Sequence, residues 1–291
     1  MTQANTVPTL VTADWLAEHL NDPNVLPVDT RWYLGEPGRG RQEYHESHIP
    51  GAPHLDIDQD LAAPPFHGPG RHPLPPIEEF AVTVGRAGIS PETHVVIYDS
   101  VGGAFGARLW WMLRYLGHKK VSMLDGGWQA WQATGHPIET EAPNISPTTF
   151  TPRPRPEVLV NADDVERLRH TPGVLLIDAR NAERYEGRSE PIDSHAGHIP
   201  GARQAFFGEN LNPDGTFKSP EALRERFTSV GANQADKVIC YCGSGVTAAH
   251  NILALELAGF PEALLYEGSW SDWSSDPARP AATGSEDNTT D

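Results

Sequence analysis

The residues best suited to chemistry are the only two cysteines of the 291-residue chain, Cys240 and Cys242. A disulfide across one intervening residue would be strained, so both are read as free thiols of a reducing compartment. A Cys-x-Cys metal site would need further ligands, and no third cysteine exists to supply them. No metal and no cofactor are expected. Cys242 opens the run Cys242-Gly243-Ser244-Gly245-Val246-Thr247. A cysteine nucleophile acts as the thiolate, whose pKa of about 8.5 falls to roughly 3.5–7.5 at a helix N-terminus or beside cations. Gly243 and Gly245 let successive backbone N–H groups through Val246 converge on one sulfur, and Ser244 and Thr247 add hydroxyl donors. Such a ring stabilises a thiolate and equally the outer sulfur of a persulfide anion. Cys240, two residues earlier on the same strand, is expected to be a small buried side chain.

The elements that must position Cys242 follow from the apolar pattern. Short apolar runs at Val174–Asp178, Lys237–Tyr241 and Ala263–Glu267 read as buried strands. Val246, Ala249, Leu253 and Leu257 fall at helical spacing, and Gly259 followed by Pro261 ends that helix. Cys242 is thus expected on a loop between a strand and a helix N-terminus.

The pattern occurs twice. Val25–Arg31 returns as Val174–Arg180, Ser47–Ala52 as Gly197–Ala202, the strand ending at Asp99 as the one ending at Cys242, and Leu124–Trp131 as Tyr266–Trp273. Asp29 to His48 spans 19 positions against 20 for Asp178 to His198, so the chain is a duplicated domain. Apolar runs alternating with amphipathic segments make each copy an α/β domain, a mainly parallel sheet flanked by helices. The expected organisation is a first domain at 8–140, a proline-rich extended linker at 141–157, a second domain at 158–284 and a disordered polar tail at 285–291.

The net charge of −17 opposes nucleic acid and acidic membrane surfaces as partners. No run approaches the roughly 18 apolar residues of a membrane span, and Met1–Leu20 lacks the pattern of a secretory signal. A cytoplasmic enzyme is expected. His45, His48, His54, His67 and His72 lack metal-ligand spacing. His48 and His198 hold equivalent repeat positions and read as a shared structural turn, Trp128 and Trp270 as core or interface anchors. Asp29 with Arg31, and Asp178 with Arg180, read as ion pairs at strand ends.

These motifs resemble the tandem-domain sulfurtransferases, the family of thiosulfate sulfurtransferase (rhodanese) and 3-mercaptopyruvate sulfurtransferase, from about Val11 to Gly284. The resemblance implies two rhodanese-like domains, a catalytic second copy with Cys242, and a non-catalytic first copy with Asp99 in its place that helps to wall the cleft. It implies that Cys242 carries sulfur as a persulfide from a small anionic donor to a thiophilic acceptor such as cyanide, a thiol or reduced thioredoxin. The neutral loop resembles the mercaptopyruvate enzymes, so 3-mercaptopyruvate is the expected donor and thiosulfate the alternative. Arg184 matches the arginine that faces the donor. The second donor arginine of that group falls where this chain has Ile192, and Arg188 is the residue available to replace it. The resemblance also implies a serine, histidine and aspartate relay, matched by Ser244, His72 and Asp58. A capping aspartate and a solvated histidine on a surface loop are the plain alternative for the last two.

Two rival functions are weighed against this. Phosphatases with an anion-cradling cysteine loop need an arginine six positions after the cysteine, where this chain has Ala248. A non-enzymatic module that binds a partner or senses redox state would not need cysteine, glycines and hydroxyls together.

Overall fold

The structure, a computed structural model, describes residues 7–65 and 67–285. The described residues divide into two compact units, the first made of 7–63, Pro75–Arg155 and Leu211–Phe217, the second of 64–65, 67–74, Pro156–Asn210 and 218–285. The segments Pro64–Leu74 and Leu211–Phe217 thus fall outside the contiguous spans the repeat suggests.

In the first unit, strands β1 (Leu10–Val11), β2 (Val25–Asp29), β3 (His94–Tyr98) and β4 (Val121–Leu124) form one sheet in the order β1-β4-β3-β2. Every pairing is parallel. Helices α1 (Ala13–His19), α2 (Arg39–Glu46), α3 (Ile77–Arg86), α4 (Gly106–Tyr115) and α5 (Gly127–Ala133) connect and flank the strands. β3 is buried throughout, as parallel strands covered on both faces must be. The expected linker is pinned for part of its length: Thr148 N–H donates to Gly85 O, Arg153 N–H donates to Leu116 O, and Phe150 is buried.

The second unit repeats the plan. Strands β5 (Leu159–Val160), β6 (Val174–Asp178), β7 (Arg203–Gln204), β8 (Lys237–Tyr241) and β9 (Leu264–Tyr266) lie in the order β5-β9-β8-β6-β7, again all parallel. Helices α6 (Ala162–Leu168), α7 (Ala182–Tyr185), α8 (Pro220–Ser229), α9 (Ala248–Leu257) and α10 (Ser269–Trp273) accompany them. The α/β class and the duplication expected from the sequence are both present. Of the expected tail at 285–291, residues 286–291 lie outside the described residues. No helix among the described residues is long and apolar enough to cross a membrane.

The repeat extends to individual atoms. Arg31 pairs with Asp29 at 2.6 Å and Arg180 with Asp178 at 2.7 Å, all four side chains buried. Each guanidinium lies over a tryptophan, Arg31 over Trp128 at 4.7 Å and Arg180 over Trp270 at 4.8 Å. His48 stacks on Tyr44 at 4.0 Å and His198 on Tyr185 at 3.8 Å, each with Nδ1 2.7 Å from that tyrosine's carbonyl oxygen. Tyr98 and Tyr241 hydroxyls accept the N–H groups of Ile49 and Ile199. These groups brace the C-terminal end of the central strand, where the anion-binding loop begins.

Burial alone would lower the Arg180 pKa, and Asp178, joined by Tyr241 and Glu190, more than reverses it, so the guanidinium stays charged in the core. Removing the Asp178 carboxylate leaves the buried guanidinium only Glu190, at 3.2 Å and shared with Arg184, as a carboxylate partner. Asp178→Ala is expected to destabilise the second unit by about 3–5 kcal/mol, measured as a lowered urea midpoint.

Candidate active site

Cys242 stands directly after β8 and six residues before the first residue of α9, and its side chain is buried. The helix begins at Ala248, two residues later than the apolar spacing suggests, because Gly245 takes φ +76° and turns the chain ahead of it. A Cβ at Gly245 would stand 2.2 Å from the Glu267 carbonyl oxygen, so only glycine fits. Val246 is buried and Thr247 is the cap residue of α9, without a side-chain capping bond. The loop is fastened to the start of α10. Cys242 N–H donates to Ser269 Oγ at 3.1 Å, and the Trp270 and Ser271 N–H groups donate to the carbonyl oxygens of Cys242 and Gly243. Ser269 itself holds φ +54°, where a side chain is strained. Its Oγ donates to Tyr266 O at 2.9 Å while accepting from Cys242, so the strain fixes the nucleophile's backbone. Gly127 has the equivalent place in the first copy, at φ +56°.

Two guanidinium groups face the loop. A Cβ on Gly243 would lie 2.9 Å from Nη2 of Arg71 and 3.3 Å from Nη1 of Arg184. Arg184, expected from the sequence, extends from α7 and donates to Glu190 and, through Nη2 at 2.8 Å, to Asp193. Arg71, which the sequence reading missed, pairs through Nη1 with Asp193. Burial, and then the neighbouring Arg184, hold the Arg71 guanidinium below its ordinary pKa, while Cys242 acts in the opposite sense. The only signal for Arg71 in the sequence was its place beside His72. Arg188, expected as the replacement for a missing second arginine, instead extends into solvent and pairs with Glu186 at 2.6 Å. Ile192 is exposed, and its N–H donates to Glu190 Oε1.

His72 is buried rather than solvated, with Nδ1 2.7 Å from Ser244 Oγ. It arrives on the segment that also carries Arg71. Gly70 stands against Gly268 O, Arg71 N–H donates to Ser271 Oγ, and Leu74 N–H donates to Glu267 Oε2. Asp58 belongs to the first unit and accepts the Trp32 indole N–H at 2.8 Å. Cys240 is fully buried, and burial, then the nearby Cys242, push its thiol far up. Among the described residues no cluster of His, Cys, Asp and Glu could hold a metal ion.

The matching loop of the first copy carries an anion of its own. The Asp99 carboxylate accepts the N–H groups of Val101 and Gly103 on one oxygen, and those of Phe105 and Gly106 on the other, at 2.8–2.9 Å. Burial raises its pKa and the four amides oppose the rise. The loop after Cys242 is one residue shorter: Asp99 stands seven positions before the first residue of α4 and Cys242 six before that of α9, so the cap Phe105 matches Thr247 and Gly106 matches Ala248.

Two parallel sheets, each followed at the end of a central strand by a tight loop that leads into a helix, with Asp99 in one loop and Cys242 in the other, define a tandem α/β protein. The rhodanese-like domain model matches residues 12–134 and 161–276. The chain therefore belongs to the rhodanese-like family, and it is a tandem-domain sulfurtransferase. It is 45% identical over 278 residues to a Pseudomonas aeruginosa protein named "Probable 3-mercaptopyruvate sulfurtransferase", covering 94% of this chain and 98% of that one. A thiosulfate sulfurtransferase of Cricetulus griseus is 36% identical over 275 residues, 91% of each chain. The crystal structure of SseA from Escherichia coli, described with the rhodanese fold of 3-mercaptopyruvate sulfotransferases, matches with a TM-score of 0.81 at 36% identity, over 91% of this chain and 100% of that one.

The two loop glycines make opposite demands. Gly243→Ala presses only on the movable ends of two arginines, so sulfur transfer is expected to fall by about 10²-fold in kcat/KM with thermal unfolding little changed. Gly245→Ala meets backbone at a positive φ and is expected to lower the unfolding temperature as well, both read by calorimetry beside the assay.

Proposed function

We propose that the chain moves sulfane sulfur from 3-mercaptopyruvate, through a persulfide on Cys242, to a thiophilic acceptor such as cyanide, a thiol or reduced thioredoxin. The observation that carries this reading is the convergence of Arg71 and Arg184 on Gly243, beside a Ser244–His72 pair, on a loop without basic side chains. A keto acid with a thiol asks for a cation at its carboxylate and a proton-handling hydroxyl near its carbonyl. The nitrogens of Arg71 and Arg184 nearest the loop hold the carboxylate in this reading. The Cys242 thiolate attacks the donor sulfur, the carbon–sulfur bond breaks, and the donor's thiol proton ends on the departing carbon to give pyruvate. His72 and Ser244 carry that proton. Thiosulfate is the alternative donor, with sulfite as its leaving group. The acceptor then takes the outer sulfur and restores the thiolate.

The Asp99 carboxylate supports the persulfide step. From Cβ, an aspartate reaches its oxygen through one atom, and a cysteine persulfide reaches its outer sulfur through one atom. In this proposal the backbone from Gly243 through Ser244, Gly245 and Val246 to Thr247, in a loop one residue shorter than the nest around Asp99, turns its N–H groups to that sulfur. On this reading the first copy is non-catalytic, because a carboxylate fills its nest and has no sulfur to give. A cytoplasmic site agrees with two free cysteines.

Intact-protein mass spectrometry after treatment with 3-mercaptopyruvate is expected to add one sulfur atom to the wild type and none to Cys242→Ser, whose turnover falls to background. Retained transfer in that variant sinks the assignment. With cyanide as acceptor, double-reciprocal plots are expected to be parallel, as a covalent sulfur-enzyme requires.

A further inference from the structure

We propose that Asp193 sets donor specificity, as the carboxylate that ties Arg71 to Arg184 and cancels one of their two charges. The inference rests on the reading that these arginines bind the donor carboxylate beside Cys242. One oxygen of Asp193 pairs with Arg71 Nη1 and the other accepts Arg184 Nη2 at 2.8 Å. Both arginines also face the cysteine loop, Arg71 through Nη2 and Arg184 through Nη1 and Nη2, which would lie 2.9, 3.3 and 3.4 Å from a Cβ at Gly243. Two like charges side by side repel, and the bridging carboxylate converts them into one two-pronged donor of fixed spacing.

Asp193 is itself buried, with 3% of its side chain exposed, and its N–H donates to Glu190 Oε1. Glu190, 2% exposed, accepts from Arg184 and from Arg180. Arg180 is already balanced by Asp178. The partly exposed Arg71 and Arg184 face the buried carboxylates of Glu190 and Asp193, so the site offers directed donors with little net positive charge. A monoanionic carboxylate uses those donors without needing more charge. A sulfonate-bearing dianion such as thiosulfate meets a site that does not compensate its second charge, next to a thiolate. The absence of an arginine at position 192 acts in the same direction, and Ile192 is exposed while Asp193 turns in. Asp193 touches neither the reacting sulfur nor Cys242, and acts through the two arginines as a positioning residue.

The test compares kcat/KM for thiosulfate with that for 3-mercaptopyruvate in the wild type, Asp193→Asn and Asp193→Glu. Neutralising a charge within a few ångströms favours a dianion over a monoanion, so the ratio in Asp193→Asn is expected to rise at least about tenfold. Asp193→Glu keeps the charge, and the ratio is expected to stay within about twofold of wild type, even where both rates fall. In the unmodified enzyme the same balance makes propionate a stronger dead-end inhibitor against the donor than sulfate. This measurement stands even where Asp193→Asn does not fold. An unchanged ratio in a folded Asp193→Asn, an equal shift in both variants, or tighter inhibition by sulfate overturns the inference while leaving the persulfide reading intact. A wild type that turns over thiosulfate but not 3-mercaptopyruvate overturns the donor reading and this inference together.

Discussion

The constraint on which the molecule depends is the convergence of backbone N–H groups at the end of a parallel strand. A loop that turns its amides inward creates positive potential without a charged side chain, and it requires an anion in return. In the first copy the Asp99 carboxylate meets that requirement with four N–H groups. In the second copy Cys242 stands at the same point, directly after β8. Everything around the loop holds its amides in place: the bonds to Ser269, Trp270 and Ser271, and the buried strand before it.

The atomic repeat shows which parts of the scaffold that constraint needs. Both copies keep the buried aspartate–arginine pair, the tryptophan beneath the guanidinium, and the tyrosine–histidine stack. These lie at the end of each sheet from which the loop departs. What differs is the surroundings of Cys242: Arg184 on α7, the inward-facing Glu190 and Asp193, and the segment bearing Arg71 and His72. The shared groups support the strand end and its loop in both copies, and the unshared groups surround Cys242 alone.

Much of this was legible in the sequence because it is local or repeated. The strands β6, β8 and β9, the loop between β8 and α9, and the structural roles of His48, His198, Asp178 and Arg180 follow from runs and spacings. Arg71 did not, since it meets Asp193 from 122 positions earlier in the chain, a closeness that only tertiary structure creates. Asp193 was not legible either, because its place in the site comes from pairing with Arg71 and Arg184, not from a local pattern. Arg188 misled because four-residue spacing implies a shared face only on a helix, and α7 ends at Tyr185. The nearly complete burial of α9 was also unreadable from one apolar stripe, because its polar residues His250 and Asn251 are buried with Asn210 as partner.

The same constraint explains which residue can replace the cysteine in a duplicated copy. An apolar side chain would leave several buried N–H groups without an acceptor, and each costs about 1–3 kcal/mol. Serine or threonine has one oxygen, too little for four donors spread around the turn. Asparagine presents one oxygen and one amide that repels the N–H groups. Aspartate alone among short side chains offers two acceptor oxygens and a full negative charge at the right distance from the backbone. A loop that turns four N–H groups inward is thus stable with aspartate at its start, and Asp99 satisfies all four.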